Sequence, residues 1–280
     1  MAPASMSGTA IGSGTALFTL DSGVATVTLN RPQRRNAISW QLVEDLLAAM
    51  ERAHAAEGLR VLVLTGAGHD FSVGADLARV ASGRAREQET RTLRGHSVAD
   101  DRERLAVAST LVESIASFPA PTIAAINGAC AGAGLSLALA TDFRLAAPDS
   151  VFNTAFVSAA VSGDLGSAWL LTRAVGDARA RALLLDPGKL TAGEALQAGL
   201  VTEIAANPQV RLGELVAKLA GQAPKAMRYS KQNLADAERL TLAEYLEREV
   251  PRMVDCARSE DARRAARAFL EKRKPVFTGE

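Results

Sequence analysis

Apolar and polar residues alternate in the first regular segment of the chain. Residues 15–30, TALFTLDSGVATVTLN, carry apolar side chains at alternate positions on both sides of the Asp-Ser-Gly triplet at 21–23. Alternation with a period of two around such a triplet is typical of a β-hairpin. Apolar residues then recur at three- and four-residue intervals from Leu42 to Met50, and Ser39 is a residue type that caps helix N-termini. The pattern therefore predicts a hairpin followed by a helix that begins at Trp40.

Two continuous apolar runs predict buried strands, RVLVLTG at 60–66 and PTIAAING at 121–128. Between them, residues 79–104 are rich in Arg and Glu and have no apolar periodicity, which indicates a solvated segment before a helix at about 103–117. Up to residue 207 we expect repeated β-β-α units. Beyond it the pattern predicts helices only, at 209–221, 224–237, 242–257 and 260–272.

These patterns divide the chain into three parts. Residues 1–14 are expected to form a disordered tail, because they show neither periodicity nor an apolar run. Residues 15–207 are expected to form a core that holds the functional site, and residues 208–280 a helical C-terminal region. A chain of 280 residues is long enough to bury a sizeable core.

Composition and charge narrow the class of protein. The chain is 48% hydrophobic and 22% charged, which is typical of globular proteins. Its net charge of +1 gives no overall electrostatic attraction to nucleic acids or anionic membranes. No apolar run approaches the ~20 residues of a membrane span, and the N-terminus lacks the pattern of a secretory signal. Cys130 and Cys256 lie far apart, without metal-ligand spacing. We therefore expect a cytoplasmic protein with reduced thiols and no metal ion.

Two glycine-rich turns, GAGHDF after the first buried strand and GACAGAG after the second, are candidates for chemistry. Neither is a dinucleotide fingerprint, because Phe71 and Leu137 stand where the third glycine would be, and no phosphate-loop motif is present. Both turns join a strand to a helix, whose first N–H groups have no partner within the helix. Two such turns that face each other can present two N–H donors to one oxygen, as an oxyanion hole does. The alternative is that both are merely tight turns.

Several stretches together resemble the enoyl-CoA hydratase/isomerase (crotonase) superfamily. They are LNRPQRRNAIS, VLVLTGAGHDFSVGADL, PTIAAINGACAGAGLSLALATDFRLAAPDSVF, LTAGEALQAGLV and FLEKRKPVFTG, and they follow one another from about residue 15 to 279. The resemblance implies an α/β fold, a spiral of repeated β-β-α turns with a helical C-terminal trimerisation region. It also implies a homotrimer or hexamer that takes an acyl-CoA thioester as substrate and needs no separate cofactor.

The same resemblance assigns binding roles to particular residues. The backbone N–H groups of Ala75 and Ala133 would bind the thioester oxygen. Contacts to coenzyme A at the rim of the site would come from Arg31, Arg35 and Leu77. Two further contacts, Lys272 and Phe277, would come from the tail of a neighbouring subunit.

The chain departs from the family pattern at the two glutamates that hydratases use to deliver water. Ser136 stands three residues after Ala133, and Phe156 stands in place of the second glutamate. Ser136 is a candidate for holding a water molecule, or it only satisfies a backbone group in a helix. Asp164, in the SGDLG turn, is similar to an Asp that dienoyl-CoA isomerases of the family use as a proton carrier. The alternative is that Asp164 caps a helix that runs through Leu171.

These observations favour an enzyme of the hydratase/isomerase type that acts on an acyl-CoA thioester through an enolate held in an oxyanion hole. The alternative is a non-catalytic acyl-CoA-binding or carrier protein, which the absence of both glutamates favours. Serine hydrolysis is a third class, and it is disfavoured because the chain has no G-x-S-x-G elbow and none of its three His residues adjoins a glycine-rich turn with a Ser.

Overall fold

A computed structural model describes residues 8–76 and 97–280 of the protein. Its main sheet has seven strands, of which the first three run antiparallel and the rest parallel to the third. In spatial order they are β1 (Thr9–Ile11), β2 (Ala16–Asp21), β3 (Val24–Leu29), β4 (Val61–Gly66), β5 (Thr122–Ile126), β7 (Phe143–Ala146) and β10 (Glu203–Ile204). A second sheet contains β6 (Ala129–Ala131), β8 (Val151–Asn153) and β9 (Leu190–Thr191).

Ten helices are present in the described ranges, and none of them has the length and apolar character of a membrane span. The first six are α1 (Trp40–Ala55), α2 (Val98–Ala116), α3 (Ala133–Leu139), α4 (Ser167–Val175), α5 (Asp177–Leu185) and α6 (Ala192–Ala198). The last four form the C-terminal region: α7 (Pro208–Ala220), α8 (Pro224–Ala237), α9 (Leu242–Ala257) and α10 (Glu260–Leu270).

Helices cover both faces of the main sheet. On one face α1 buries Leu42 and Leu46 against Leu62 and Leu64 of β4 in the main hydrophobic core. On the other face α7 packs Leu215 and Leu219 against Val61, Val63 and Ile123 in a smaller cluster. Burial on both faces explains why β4 and β5 are continuous apolar runs rather than alternating ones. The expected α/β class and the helical C-terminal region are confirmed.

The hairpin and the first helix form where the sequence predicts them. β2 pairs with β3 around the turn at 21–23, and Ser39 Oγ accepts a hydrogen bond of 3.3 Å from Leu42 N at the start of α1. α2 begins at Val98, five residues before the predicted position, because Ser97 Oγ caps it by accepting from Asp100 N at 3.1 Å.

The predicted disordered tail at residues 1–14 is wrong for its second half. Thr9–Ile11 forms β1, and Ile11 is 1% exposed in the core. The turn after it is held by Asp45 of α1, whose carboxylate accepts hydrogen bonds from Ser13 Oγ at 2.7 Å and Thr15 N at 2.9 Å. A strand of three residues has too few positions to show alternation in the sequence, and β1 is recognised only from its antiparallel pairing with β2.

The parallel strands fix where a functional site can form. β3, β4 and β5 end at the same edge of the main sheet, and the loops that follow them contain the candidate residues of the sequence analysis. Ligand sites in α/β proteins lie outside the carboxyl ends of such strands.

Candidate active site

The two glycine-rich turns lie against each other at this edge of the sheet. Ser72 N donates to Ala129 O at 3.0 Å and Ala131 N donates to Ser72 O at 2.9 Å, so the turns are joined like short strands. Gly74 has φ +88°, and a Cβ added to it would lie 2.9 Å from Ala131 O and 3.4 Å from Ala133 N. Only a residue without a side chain allows this approach at this φ.

The N–H groups of Ala75 and Ala133 lie on these facing turns, and neither donates a hydrogen bond within the described ranges. Their neighbours are held in place: Ile38 N donates to Gly74 O at 2.8 Å, and Asp76 N donates to Ile38 O at 3.0 Å. Ala133 is the first residue of α3, where the helix dipole is positive. Among residues 8–76 and 97–280 the two groups thus have no acceptor, and they lie beside a close contact between backbones.

Ser136 and Phe156 border a narrow pocket beside Gly132 that has no room for a water molecule. Ser136 is 1% exposed, and its Oγ donates to Asp164 O over 3.4 Å. Phe156 is 6% exposed, and its ring lies near Gly132, where an added Cβ would be 3.9 Å from Phe156 Cε1. Both residues that the resemblance places at the positions of the hydratase glutamates thus line this pocket.

Asp164 does not cap a helix, so that alternative is wrong. α4 begins only at Ser167, its N-cap is Gly166 in a left-handed conformation, and no side chain caps it. Instead Asp164 Oδ1 is a buried polar atom with no hydrogen-bond partner within residues 8–76 and 97–280. Burial raises the pKa of this carboxyl above its usual range. A half-buried, unpaired acid of this kind can carry a proton.

The backbone around Asp164 is unusual. Three residues other than glycine have positive φ in this segment, Ala155 at +58°, Ala160 at +57° and Leu165 at +47°. Such conformations cost free energy and cluster at functional sites. Within the segment 155–165 the buried side chains are Phe156, at 6% exposure, and Leu165, at 3%.

Comparison with known proteins decides the family. A sequence description of the enoyl-CoA hydratase/isomerase family matches residues 19–280. A probable enoyl-CoA hydratase of Mycobacterium leprae is 37% identical over 266 residues, which cover 94% of this chain and 98% of that protein. The 1,2-epoxyphenylacetyl-CoA isomerase of Escherichia coli is 34% identical, covering 93% and 97%. The crystal structure of a putative enoyl-CoA hydratase/isomerase from Mycobacterium abscessus superposes with a TM-score of 0.86 at 32% identity, covering 95% and 100%.

The chain belongs to the enoyl-CoA hydratase/isomerase family. Its relatives are named as hydratases and isomerases, and it is therefore an enzyme of this family. Its fold matches the spiral that the resemblance implies.

In this hydratase/isomerase the loop of Ala75 is fixed by a buried ion pair. Arg31 is 4% exposed and donates to Asp76 Oδ2 at 3.0 Å and to the carbonyl of Ala37. Arg34 donates to the other oxygen of Asp76. Burial raises the pKa of Asp76, but the hydrogen bonds from Arg34 and Arg31 outweigh it and leave the pKa below its usual range. Arg31 thus holds the loop from within and does not stand at the rim, where the sequence analysis placed it.

Arg35 does lie at the rim, with a side chain that is 62% exposed. It donates to Asp70 through Nε at 2.7 Å, and this hydrogen bond, against the effect of burial, lowers the pKa of Asp70 to about 2. Asp70 also accepts from Ala129 N at 2.8 Å and so ties the first glycine-rich turn to the second. The roles of Asp70 and Arg34 were not predicted from the sequence. The only signal for them is the group of three arginines in NRPQRRN, because arginines close together on a loop often pair with carboxylates.

The Arg35–Asp70 pair predicts a pH-dependent stability. Because the pKa of Asp70 is lowered from 3.8 to about 2 on folding, its stabilisation is complete above pH 3.8 and is lost as the pH falls toward 2. Arg35→Ala is expected to lower the free energy of unfolding by about 1 kcal/mol at neutral pH, since the arginine is mostly in solvent. Urea unfolding of both proteins between these pH values would show the difference shrinking; a constant difference would contradict it.

Of the remaining predicted coenzyme A contacts, Leu77 lies outside the described residues. Phe277 lies near the opposite edge of the sheet, where Arg60, just before β4, donates to Phe277 O at 3.0 Å, and Lys272 follows the end of α10. Asp261 holds the same tail by accepting from Thr278 N at 2.9 Å and Gly279 N at 2.8 Å. Within one chain Phe277 is thus remote from the glycine-rich turns, and a role for it at the site requires a second subunit.

Proposed function

We propose that this enzyme isomerises 2-enoyl-CoA thioesters through an enolate, with Asp164 as the proton carrier. The observation that carries this proposal is the buried and unpaired Oδ1 of Asp164, which no structural role explains within the described residues. The unused N–H groups of Ala75 and Ala133 support it, because two donors on facing turns suit an oxygen that becomes negative. The E. coli relative is named as an isomerase of a CoA ester, with an epoxide rather than an enoyl ester as its substrate, so isomerisation of CoA esters occurs within the family.

The proposed reaction needs one acid–base group. The ionised Asp164 takes a proton from the carbon next to the double bond on the side away from the thioester. The released electron pair forms a new double bond, the old one shifts toward the thioester carbon, and the thioester oxygen gains the negative charge. Ala75 N–H and Ala133 N–H bind that oxygen. Asp164 then returns the proton to the carbon adjacent to the thioester, which gives the 3-enoyl isomer. A raised pKa suits this role, because the carboxylate becomes a stronger base.

Binding of coenzyme A and assembly are part of the same proposal. Arg35 is the best-placed candidate for a phosphate contact, because its exposed guanidinium lies on the loop after β3. We propose a trimer or hexamer in which the last two helices meet neighbouring subunits. Large apolar side chains on α9 and α10 are exposed in the single chain, which supports this: Leu242, Val250, Met253, Phe269 and Leu270.

The second candidate function is acyl-CoA binding or delivery without turnover. It is favoured by Ser136 and Phe156, which stand where the resemblance places the two hydratase glutamates. Neither side chain supplies a carboxylate that could add water to a double bond. This candidate predicts binding of CoA esters with no exchange of substrate protons.

Incubation with enoyl-, dienoyl- and 3-hydroxyacyl-CoA esters in D2O separates these functions. Isomerisation shifts the double bond of the product, which NMR measures, and mass spectrometry shows solvent deuterium in the product wherever the proton on Asp164 exchanges with solvent before it is returned. Hydration instead yields a 3-hydroxyacyl ester. Binding of the esters by calorimetry without exchange or product would support the carrier function and contradict the isomerase.

Gly74→Ala tests the proposed oxyanion hole. The added Cβ would press on Ala131 O and approach Ala133 N, so the N–H groups would move apart. We expect kcat to fall by about 10²-fold, as for loss of one oxyanion donor. Gly176→Ala is the matched control, because Gly176 has a similar φ of +79° with no heavy atom within 4 Å of the added Cβ. Equal turnover by both variants would contradict the assignment.

A further inference from the structure

Phe156 lies at the point where the proposed site meets its apolar pocket. Its Cε1 would be 3.9 Å from a Cβ on Gly132, the residue just before Ala133, and its Cδ2 would be 3.9 Å from a Cβ on Gly163, just before Asp164. The ring therefore lies between the backbone that would bind the thioester oxygen and the segment that carries the proposed acid. Resting on the proposed function, we propose that Phe156 determines the outcome of the reaction by keeping water away from the carbons that react.

The pocket around the ring offers water few partners. Besides Phe156, Leu135, Leu139, Leu171 and Leu184 line it with aliphatic carbon. A buried water needs two to four polar partners to offset its loss of freedom, and an apolar cavity stays dry. Replacing a carboxylate by a phenyl ring at this place removes the group that would hold such a water.

Three hydroxyl groups also line the pocket, those of Ser136, Thr154 and Ser167, and the first two are engaged with the backbone. Thr154 Oγ1 donates to Leu183 O at 2.6 Å, and Ser136 Oγ donates to Asp164 O at 3.4 Å. Each hydroxyl proton is thereby directed to a carbonyl of the protein. The first of these bonds is short, and a water that displaced it would leave Leu183 O unsatisfied. Neither hydroxyl is arranged to present a nucleophilic water to a substrate.

Water exclusion changes which step follows proton removal. The 2-enoyl thioester has an electrophilic carbon at position 3, and a water molecule there would add across the double bond to give a 3-hydroxyacyl ester. With no water at this carbon, Asp164 can only take a proton and return it, so the product is an isomer of the substrate. Phe156 makes no proton transfer in this scheme; it is a specificity residue that acts by occupying space.

The test measures hydrated against isomerised product in H2¹⁸O. For the wild type we expect isomer with little labelled 3-hydroxyacyl ester. In Phe156→Ala, which opens space beside Gly132, the ratio of labelled hydroxyacyl ester to isomer is expected to rise on the order of tenfold or more, because water then reaches the substrate. Leu184→Ala is the matched control, since it removes a similar volume from the same pocket on α5 and leaves the ring in place.

Two further variants make the outcome decisive. Phe156→Leu keeps the site apolar and is expected to retain the product ratio of the wild type, whereas Phe156→Gln keeps the bulk, adds a polar group and is expected to raise the ratio even if Phe156→Ala fails to fold. An unchanged ratio in folded Ala and Gln variants that still isomerise the substrate overturns this inference alone. Absence of a double-bond shift in the wild type overturns the proposed function, and this inference with it.

Discussion

Asp164→Asn is expected to lower the kcat of isomerisation by about 10²- to 10⁴-fold, the range that a positioned acid–base group contributes. Asn has the size of Asp but neither takes nor returns a proton. Binding of the CoA ester should change little, because the amide keeps the shape of the site. In the wild type kcat should rise with pH through the raised pKa of Asp164, since the ionised form removes the first proton. In the variant this rise should disappear.

The controls for this experiment separate chemistry from folding. Asp149→Asn makes the same change at an exposed position outside the site and should leave kcat unchanged. Ser136→Ala removes the hydroxyl that approaches Asp164 O, and only a small effect is expected from a 3.4 Å hydrogen bond. The kcat of each variant is measured in steady-state assays, and its affinity for a CoA ester is measured by calorimetry. Turnover by Asp164→Asn at the rate of the wild type would show that another group moves the proton.

Asp76→Ala is expected to have the largest effect on stability, a loss of roughly 3–5 kcal/mol in the free energy of unfolding. Asp76 and Arg31 each have a side chain only 5% exposed, so removing the carboxylate leaves a guanidinium buried without its counter-charge. Asp76 follows Ala75 directly, and the variant should therefore also lose turnover through a displaced N–H group. Urea unfolding measures the first effect and steady-state kinetics the second.

Asp177→Ala is the matched control for the ion pair. It breaks a contact of 2.8 Å between Arg181 and Asp177, whose side chains are 70% and 68% exposed. An exposed pair of this kind contributes about 0–1 kcal/mol, because water solvates both charges when they separate. If Asp76→Ala and Asp177→Ala lower the free energy of unfolding by the same amount, the Arg31–Asp76 pair does not fix the loop.

Local signals predicted much of the fold. The hairpin at 15–30 and the helix that begins at Trp40 follow from periods of two and of three to four residues, and both form as expected. The signals failed where the deciding contact is distant along the chain. Arg31 lies in a polar stretch that looks exposed, yet it is buried, because Asp76, 45 residues later, forms an ion pair with it.

The candidate site shows the same limit. The sequence placed Ala75 and Ala133 on two turns and identified Asp164 as an acid, and the structure brings the two turns together. It could not show whether Asp164 caps a helix, because Asp is a good cap and only the left-handed Gly166 reveals that the helix starts later. Nor could it show that Phe156 lies between Gly132 and Gly163, since that depends on how residues 155–165 turn.

The left-handed conformations of Ala155, Ala160 and Leu165 imply a trade-off between the folding stability of this enzyme and its activity. Each holds a conformation that costs an L-amino acid about 1–2 kcal/mol, and glycine would relieve most of that cost. A population under selection for thermal resistance would gain from glycine or Asn at these positions. The same changes would make the segment that carries Phe156 and Asp164 more mobile. Because a mobile segment holds these side chains less well in position, selection for turnover would keep the strained residues.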